Sequence, residues 1–269
     1  MDSGKLTQSA GRVGELPNRN IWDVINDLTL DFKFRYVPFR GYYRYRSYKY
    51  KTSKDIEMKL LPFLCSPTKA SVDIGANLGL FTYYLARFSP MVYAFEPNPY
   101  PYRILQYVID KNVKLEQVAI TDISGEVELV IPRTSKGWSS NGASLEQHKR
   151  KGNYIIVKVP GYRLDDLDLG EIGFIKIDTE GHELAVLRGA QKTIETHRPN
   201  LFVEVEYSHL REKDPVVFAL LNDLNYDGFF LMDGVLTNIS NFSISKFQDK
   251  AALAKSGHRY IKDFIFLPR

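Results

Sequence analysis

The chain has 269 residues, of which 44% are hydrophobic and 25% are charged, a composition typical of a globular protein with a sizeable core. Its single cysteine, Cys65, excludes an internal disulfide and favours a reducing compartment, which we expect to be the cytoplasm. Residues 1–20 lack the apolar region of a signal peptide, and no apolar run is long enough to span a bilayer. The sequence therefore predicts neither secretion nor a membrane span.

The formal net charge of +4 is unevenly distributed along the chain. Residues 33–54 contain eight Lys or Arg and no acid, which leaves 28 basic against 32 acidic residues elsewhere. The basic character is therefore confined to one segment near the N-terminus.

We divide the chain into a flexible lead-in at residues 1–20, a basic and aromatic N-terminal extension at 21–66, and one larger domain at 67–269. The stretch FRYVPFRGYYRYRSYKYK, residues 34–51, interleaves eight aromatic with six basic residues. Three interpretations stay open. The stretch is a half-buried strand with a solvated cationic face, a surface for an anionic or glycan acceptor, or a groove for single-stranded RNA.

From residue 67 onward, short apolar runs alternate with helical stretches. Strands are predicted at 70–75, 91–97 and 113–120, with helices at 79–88 and 101–112 between them. This alternation predicts a parallel sheet with right-handed crossovers and helices on both faces. The fold class expected is therefore α/β, with a Rossmann-like, mostly parallel sheet.

Two further predicted strands interrupt the strand–helix alternation. Because a polar loop joins them, they are interpreted as an inserted β-hairpin. The alternation then resumes to the end of the chain. The hairpin is expected at 126–132 and 153–160, the next strand at 173–178, a helix that closes before Pro199, a strand at 200–207, a helix at 214–228, and last strands at 229–232 and 263–268.

The stretch VDIGANLG places Gly75 and Gly79 directly after a strand and at the start of a helix. Glu96 follows at the end of the next strand, where a carboxylate can accept hydrogen bonds from ribose hydroxyls. A nicotinamide dinucleotide usually requires G-x-G-x-x-G, whereas Asn77 stands at the central position here. Asp73 would be poorly placed beside a pyrophosphate, so S-adenosylmethionine, with its cationic amino-acid end, is favoured over the dinucleotide and over a turn without ligand.

Asp122, just after the third strand, is placed to accept a hydrogen bond from the adenine amino group. Taken alone this is a weak signal, because Asp is common in turns.

The stretch FIKIDTEGHELAVLRG, residues 174–189, gathers ionisable side chains at the end of a strand. Because ligands bind at the carboxyl ends of strands in open α/β sheets, we expect Asp178, Glu180 and His182 to face the same crevice as Gly75. His182 is the candidate general base, since only histidine has an unperturbed pKa near neutrality, and Asp178 would orient the acceptor. Lys176 is interpreted as neutralising a neighbouring acid.

A bound metal is the main rival explanation for these side chains, because Asp178, Glu180, His182 and Glu204 offer oxygen and nitrogen ligands. They lack a dedicated ligand spacing, so no metal is expected.

In this order, the motifs VDIGANLG, FEPNP, VAITDISGEVEL and IKIDTEGHELAVLRGA make the chain resemble the FkbM-type methyltransferases. GASL at 142–145 and RLDDL at 163–167 are also similar to that family, and the likeness covers roughly residues 70–206. It implies a class I S-adenosylmethionine-dependent fold and methyl transfer to a hydroxyl oxygen, commonly of a sugar or a polyketide. The resemblance carries over five cofactor residues: Asp73, Gly75, Asn77, Gly79 and Glu96.

The expected partner is a small-molecule or glycan acceptor, and nucleic acid is the less favoured alternative. NPYPY at 98–102 is similar to the signature of amino-methyltransferases, but it follows the second strand, and DTEG stands where such a motif would belong. An RNA methyltransferase, or a nucleic-acid-binding protein that keeps the fold without turnover, stays the alternative.

Overall fold

The fold is given by a computed structural model that describes residues 56–134, 137–139, 142–150, 152–208, 216–249, 253 and 259–269. The predicted lead-in at 1–20, and the basic and aromatic stretch at 34–51, lie outside the described residues and stay predictions. Within the described part of the chain, no helix has the length and apolarity needed to cross a bilayer.

Twelve β-strands are described. They are β1 Ala70–Ile74, β2 Val92–Phe95, β3 Val113–Glu116, β4 Ala119–Ile120, β5 Gly125–Thr134, β6 Gly137–Trp138, β7 Tyr154–Tyr162, β8 Ile172–Ile177, β9 Asn200–Glu204, β10 Tyr226–Met232, β11 Val235–Asn238 and β12 Asp263–Pro268.

The described α-helices are short. They are α1 Leu61–Leu64, α2 Leu80–Phe88, α3 Pro99–Leu105, α4 Glu183–Gly189, α5 Gln191–His197, α6 Val216–Asp223 and α7 Ile244–Phe247, with 3₁₀ turns at Ile56–Leu60, Gln147–Lys149, Leu164–Asp166 and Ile239–Asn241.

The central sheet has eight strands in the order β11-β10-β12-β9-β8-β1-β2-β3. The five strands from β9 to β3 are parallel, and β12, β10 and β11 are antiparallel to their neighbours. All five residues of β1 are buried, as expected of a strand covered on both faces. The predicted α/β class with a mostly parallel sheet is therefore confirmed.

Apolar side chains alternate between the two faces of this sheet and form two separate clusters. Along β9, Leu201 and Val203 pack in one cluster with helices α4 to α6, whereas Phe202 packs in the other with α2 and α3. The helices therefore cover both faces, and the polar groups at the strand ends are left along the carboxyl edge.

A smaller sheet, in the order β4-β7-β5-β6, contains the predicted inserted hairpin, in which β5 and β7 pair antiparallel. The prediction of one strand over 113–120 was wrong. Its first half, β3, belongs to the central sheet, and its second half, β4, pairs with β7 of the smaller sheet. Asp122 therefore follows β4 of the smaller sheet.

Two predicted helices have different boundaries in the structure. The helix that was to close before Pro199 breaks into α4 and α5 at Ala190, whose φ of −114° and ψ of 7° depart from helical values. Gly189, just before the break, lies so close to Thr121 that a Cβ there would come within 2.0 Å of its carbonyl oxygen. The helix predicted over 214–228 ends at Asp223, because Asn225 adopts a left-handed φ of 60° and the chain then enters β10.

Residues 56–64 fall within the predicted N-terminal extension, but they pack against the sheet. Met58, Leu61 and Leu64 are buried in the same cluster as Val92 and Ala94 of β2. At its C-terminal end the extension therefore shares the core of the larger domain.

Candidate active site

The loop after β1 has the backbone geometry that the glycine motif predicts. Gly75, Asn77 and Gly79 all have left-handed φ angles, of 76°, 49° and 75°. A Cβ at Gly75 would lie 1.9 Å from the carbonyl oxygen of Asp178, so no side chain fits there. The loop and the end of β8 are thus held in direct backbone contact.

Glu96 lies at the end of β2, and its carboxylate is joined to this loop. Its Oε2 accepts from the backbone N–H of Asn77 at 2.6 Å, and its Oε1 accepts from the N–H of Asn98 at 2.8 Å. Burial raises the pKa of Glu96 to about 7, although the N–H groups of Asn98 and Asn77 favour the anion. The carboxylate is therefore fixed in place and sensitive to pH near neutrality.

Asp73, in β1, is fully buried and has partners within the protein. Its Oδ2 accepts from the hydroxyl of Thr82 at 2.5 Å, and its Oδ1 lies 3.3 Å from Nζ of Lys176. Asp73 thus ties β1 to helix α2 and to β8, so that it can act on a ligand only through the loop that it supports.

Lys176 connects the loop with the end of β8. Its Nζ donates to the carbonyl of Gly75 at 2.8 Å and lies 3.5 Å from Oδ2 of Asp178. Burial alone would lower the pKa of Lys176, but the combined carboxylates of Asp178, Asp73 and Glu204 outweigh it and raise that pKa. Lys176 therefore neutralises neighbouring acids, as the sequence analysis predicted.

The side chain of Glu183 stabilises the turn after β8 through hydrogen bonds. Its Oε1 accepts from the N–H and the hydroxyl of Thr179, at 3.0 and 3.1 Å, and from the N–H of Gly181 at 3.0 Å. Burial raises the pKa of Glu183. Its role is to shape the turn that presents Asp178 and Glu180.

Glu180 connects this turn to the loop of the inserted hairpin. Its side chain accepts from the N–H of Gly142 at 3.0 Å, and its carbonyl accepts from the hydroxyl of Ser144 at 3.0 Å. Its φ of 56° is unusual for a residue with a side chain, and such conformations cluster at functional sites.

Both ring nitrogens of His182 have partners. Nδ1 lies 2.8 Å from Oε1 of Glu146, and Nε2 lies 2.9 Å from Oγ1 of Thr121. Because an ionised carboxylate only accepts, Nδ1 donates to Glu146. The hydroxyl of Thr121 has a single proton, which it can give either to Nε2 of a neutral ring or to Asp122. The hydroxyl of Thr121 also lies 3.3 Å from Oδ1 of Asp122, which brings Asp122 close to His182.

The NPYPY stretch caps helix α3. Oδ1 of Asn98 accepts from the N–H of Tyr100 at 3.1 Å, and its Nδ2 donates to the carbonyl of Ser139 at 3.0 Å. The amide that an amino-methyltransferase signature would use is thus occupied by capping and by the hairpin loop.

At the other side of the carboxyl edge, Glu204 ends β9 and Lys262 precedes β12. Oε2 of Glu204 lies 2.6 Å from Nζ of Lys262. Burial and the nearby carboxylates of Asp178 and Asp263 raise the pKa of Glu204, whereas the ion pair with Lys262 favours its anion. Within the described ranges, no group of three or more His, Cys, Asp or Glu side chains is arranged to hold a metal ion.

The sequence of residues 73–228 matches the family model described as the methyltransferase FkbM domain. The chain belongs to this family. The assignment confirms the predicted family and, with it, a methyltransferase of the S-adenosylmethionine-dependent class I fold. The chain is also 30% identical over 191 residues to methyltransferase sdnD of Sordaria araneosa, a match that covers 58% of this chain and 73% of the relative.

Two solved structures are similar to the chain. Methyltransferase FkbM from Methylobacillus flagellatus is 16% identical with a TM-score of 0.47, and the match covers 75% of this chain and 44% of that one. TrmK of M. capricolum, solved with S-adenosylhomocysteine, is 14% identical with a TM-score of 0.39, covering 79% of this chain and 67% of the other.

The structure thus brings most of the predicted residues of this FkbM-family chain to one edge. Gly75, Glu96 and Asp178 lie in a connected group, whereas His182 and Glu180 are linked to the hairpin loop. Several partners were not predicted: Thr82, Asn98, Thr121, Glu146 and Lys262. Thr121, Glu146 and Lys262 lie 36 to 61 residues along the chain from the residues that they contact. Of these, Glu146 had a sequence signal, since it directly follows the GASL motif.

Proposed function

We propose that the protein transfers the methyl group of S-adenosylmethionine to a hydroxyl oxygen of a sugar, glycan or polyketide-type acceptor. The observation that carries this proposal is the left-handed loop with the buried carboxylate of Glu96 bound to its N–H at Asn77. A fixed carboxylate beside such a loop suits the ribose hydroxyls of a nucleoside cofactor.

The cofactor would be held by residues from three strand ends. Gly75, Asn77 and Gly79 supply backbone to the cofactor, and Glu96 accepts from the ribose. Asp122 is proposed for the adenine amino group, since it is exposed at the end of β4. Asp73 supports the loop from below through Thr82 and Lys176.

The acceptor would bind along the rest of the carboxyl edge. Asp178 is about one-third exposed and adjoins the loop, so it can orient a hydroxyl toward the methyl group. Methyl transfer is an in-line displacement in which holding nucleophile and methyl in contact supplies much of the rate. His182 can take the hydroxyl proton only if the acceptor replaces Thr121 at Nε2. Glu146 then stabilises the imidazolium that forms.

We also propose that the basic segment at residues 34–51 serves the acceptor, because it lies outside the cofactor motifs and concentrates the positive charge. Replacing Arg44, Arg46 and Lys49 by Gln should raise the acceptor's KM while cofactor affinity is unchanged. Earlier unfolding with unchanged kinetics would instead favour the interpretation as a half-buried strand.

The experiment that tests the proposal is a transfer assay with methyl-labelled S-adenosylmethionine. The purified protein is offered glycosides, lipo-oligosaccharides, polyketides and RNA, and product mass and NMR locate the new methyl group. We expect an O-methyl product that Glu96→Ala protein forms more slowly, because its cofactor affinity is lower. Label on nitrogen, or on RNA with an affinity that falls steeply with salt, would contradict the proposal and support the nucleic-acid alternative.

A further inference from the structure

A row of charged side chains crosses the carboxyl edge of the sheet from β1 to β12. Strand register places Asp73 beside Lys176, and the pairing of Ile177 with Val203 places the next residues, Asp178 and Glu204, side by side. The cofactor residues occupy the β1 and β2 side of this edge. The side formed by β9 and β12 is therefore left for the acceptor.

At that end, Glu204 and Lys262 form a pair with unequal exposure. The side chain of Glu204 is 9% exposed and that of Lys262 is 41% exposed. Oε2 of Glu204 is bound to Lys262, whereas Oε1 has no hydrogen-bond partner in the part of the chain that the structure describes. Oε1 reaches the protein surface, so it is open to water and to a hydroxyl of a ligand.

The pair presents complementary hydrogen-bonding groups next to each other. Oε1 of Glu204 can accept from a hydroxyl, and the ammonium of Lys262 has donors beyond the one directed at Glu204. Two neighbouring oxygens on an acceptor, one donating and one accepting, match this arrangement. A single isolated hydroxyl would leave one member of the pair unused.

We infer that Glu204 and Lys262 form a subsite that holds a vicinal diol of the acceptor, an inference that rests on the proposed function. The pair acts by positioning, so that one of the diol oxygens, or a hydroxyl beside it, lies against Asp178 and the methyl group. The acceptor class is thereby narrowed to polyhydroxylated molecules such as sugar rings, in preference to polyketides with isolated hydroxyls.

The test measures binding, so that it does not depend on methyl transfer. Protein saturated with S-adenosylhomocysteine is titrated with methyl α-D-mannopyranoside and with its 2,3-dideoxy analogue, and NMR follows the bound fraction. Wild type should bind the diol at least about tenfold more tightly than the analogue, as expected for two hydrogen bonds to charged groups.

Variants separate this role from a purely structural ion pair. Glu204→Gln should lose the discrimination, and the double variant Glu204→Gln with Lys262→Met, which leaves no buried charge unpaired, should lose it too. Glu126→Gln is the matched control, because it breaks another Glu–Lys ion pair, in which Oε1 of Glu126 lies 2.7 Å from Nζ of Lys158 on the smaller sheet. This variant should still bind the diol more tightly than the dideoxy analogue.

Equal binding of the two probes by wild type, no binding of the diol, or recovery of the preference in the double variant would each overturn the inference. Methyl transfer is measured on the same samples. A protein that prefers the diol through this pair but methylates no hydroxyl would leave the subsite standing and refute the proposed function.

Discussion

Gly75→Ala should disable the site through the backbone contact between the loop and β8. At this position the φ angle is +76°, and the added Cβ would meet the carbonyl oxygen of Asp178 at 1.9 Å. Cβ atoms essentially never approach an oxygen closer than 3.0 Å, so the two strand ends must separate by about 1.1 Å. That movement strains the hydrogen bond from the N–H of Asp178 to the carbonyl of Ile74, which is 3.1 Å long.

The expected loss of stability has two parts. A left-handed alanine costs about 1–2 kcal/mol, and overpacking of a tight contact adds about 1–3 kcal/mol. Together they lower the free energy of unfolding by about 2–5 kcal/mol. Cofactor binding should be lost as well, because Lys176 donates to the carbonyl of Gly75 and moves with the loop.

Gly170→Ala is the matched control. Gly170 has a φ of +68°, and an added Cβ there would meet nothing within 4 Å. This variant should lose only the backbone part, about 1–2 kcal/mol, and keep its cofactor affinity. Urea denaturation and calorimetric titration with S-adenosylhomocysteine measure both quantities. If Gly75→Ala loses no more stability than Gly170→Ala and still binds the cofactor, the reasoning about this contact is refuted.

The other predictions concern the charged groups of the site. Burial raises the pKa of Glu96 to about 7, and the ribose hydroxyls need its anion, so affinity for S-adenosylhomocysteine should be roughly tenfold weaker at pH 6 than at pH 8. Glu96→Gln should bind S-adenosylhomocysteine weakly and without this pH dependence. If the variant keeps the pH profile of the wild type, Glu96 is not its cause. His182→Ala should lower kcat by roughly 10²–10⁴-fold. Thr121→Val, which vacates Nε2 and removes the contact with Asp122, should not lower kcat by such a factor. Similar losses of kcat in both variants would make His182 an anchor of the hairpin loop. Lys176→Met should lower the free energy of unfolding by about 3–5 kcal/mol, because Asp73 is left buried without its cation, and a loss below about 1 kcal/mol in urea denaturation would contradict this account.

The central sheet could be predicted because its strands are marked locally. Continuous apolar runs bounded by Gly or Pro, such as β1 and β2, are typical of strands buried on both faces. The antiparallel hairpin of β5 and β7 could also be predicted, because a polar loop separates its two strands. β11 was missed because its side chains are mostly exposed and give no apolar pattern.

Two errors in the fold concern where predicted elements end. The apolar alternation over 113–120 shifts by one residue at Glu116 and Gln117, and beyond this shift β4 leaves the central sheet to pair with β7. The prediction ended the helix over 214–228 at Gly228, whereas α6 ends at Asp223, before the left-handed Asn225. Asn, like Gly, is a helix C-terminal signal, so this end could have been read from the sequence.

In the site, spacing predicted the residues but not their partners. Gly75 and Glu96 lie at positions that the strand order determines, so both could be predicted as a pair. The hydrogen bond from Lys176 to the carbonyl of Gly75 joins residues 101 apart in sequence, and the hydrogen bond from His182 to Glu146 joins residues 36 apart. Such contacts depend on how loops pack, which periodicity does not encode.

The central claim is that the loop of Gly75 to Gly79 and the carboxylate of Glu96 form an S-adenosylmethionine site. Calorimetric titration of the wild-type protein with S-adenosylhomocysteine, and separately with a nicotinamide dinucleotide, tests it most directly. We expect saturable binding of S-adenosylhomocysteine at one site, weakened roughly tenfold or more in Glu96→Ala by the loss of hydrogen bonds to a charged group, and no binding of the dinucleotide. Binding of the dinucleotide, or S-adenosylhomocysteine binding that Glu96→Ala leaves unchanged, would contradict it.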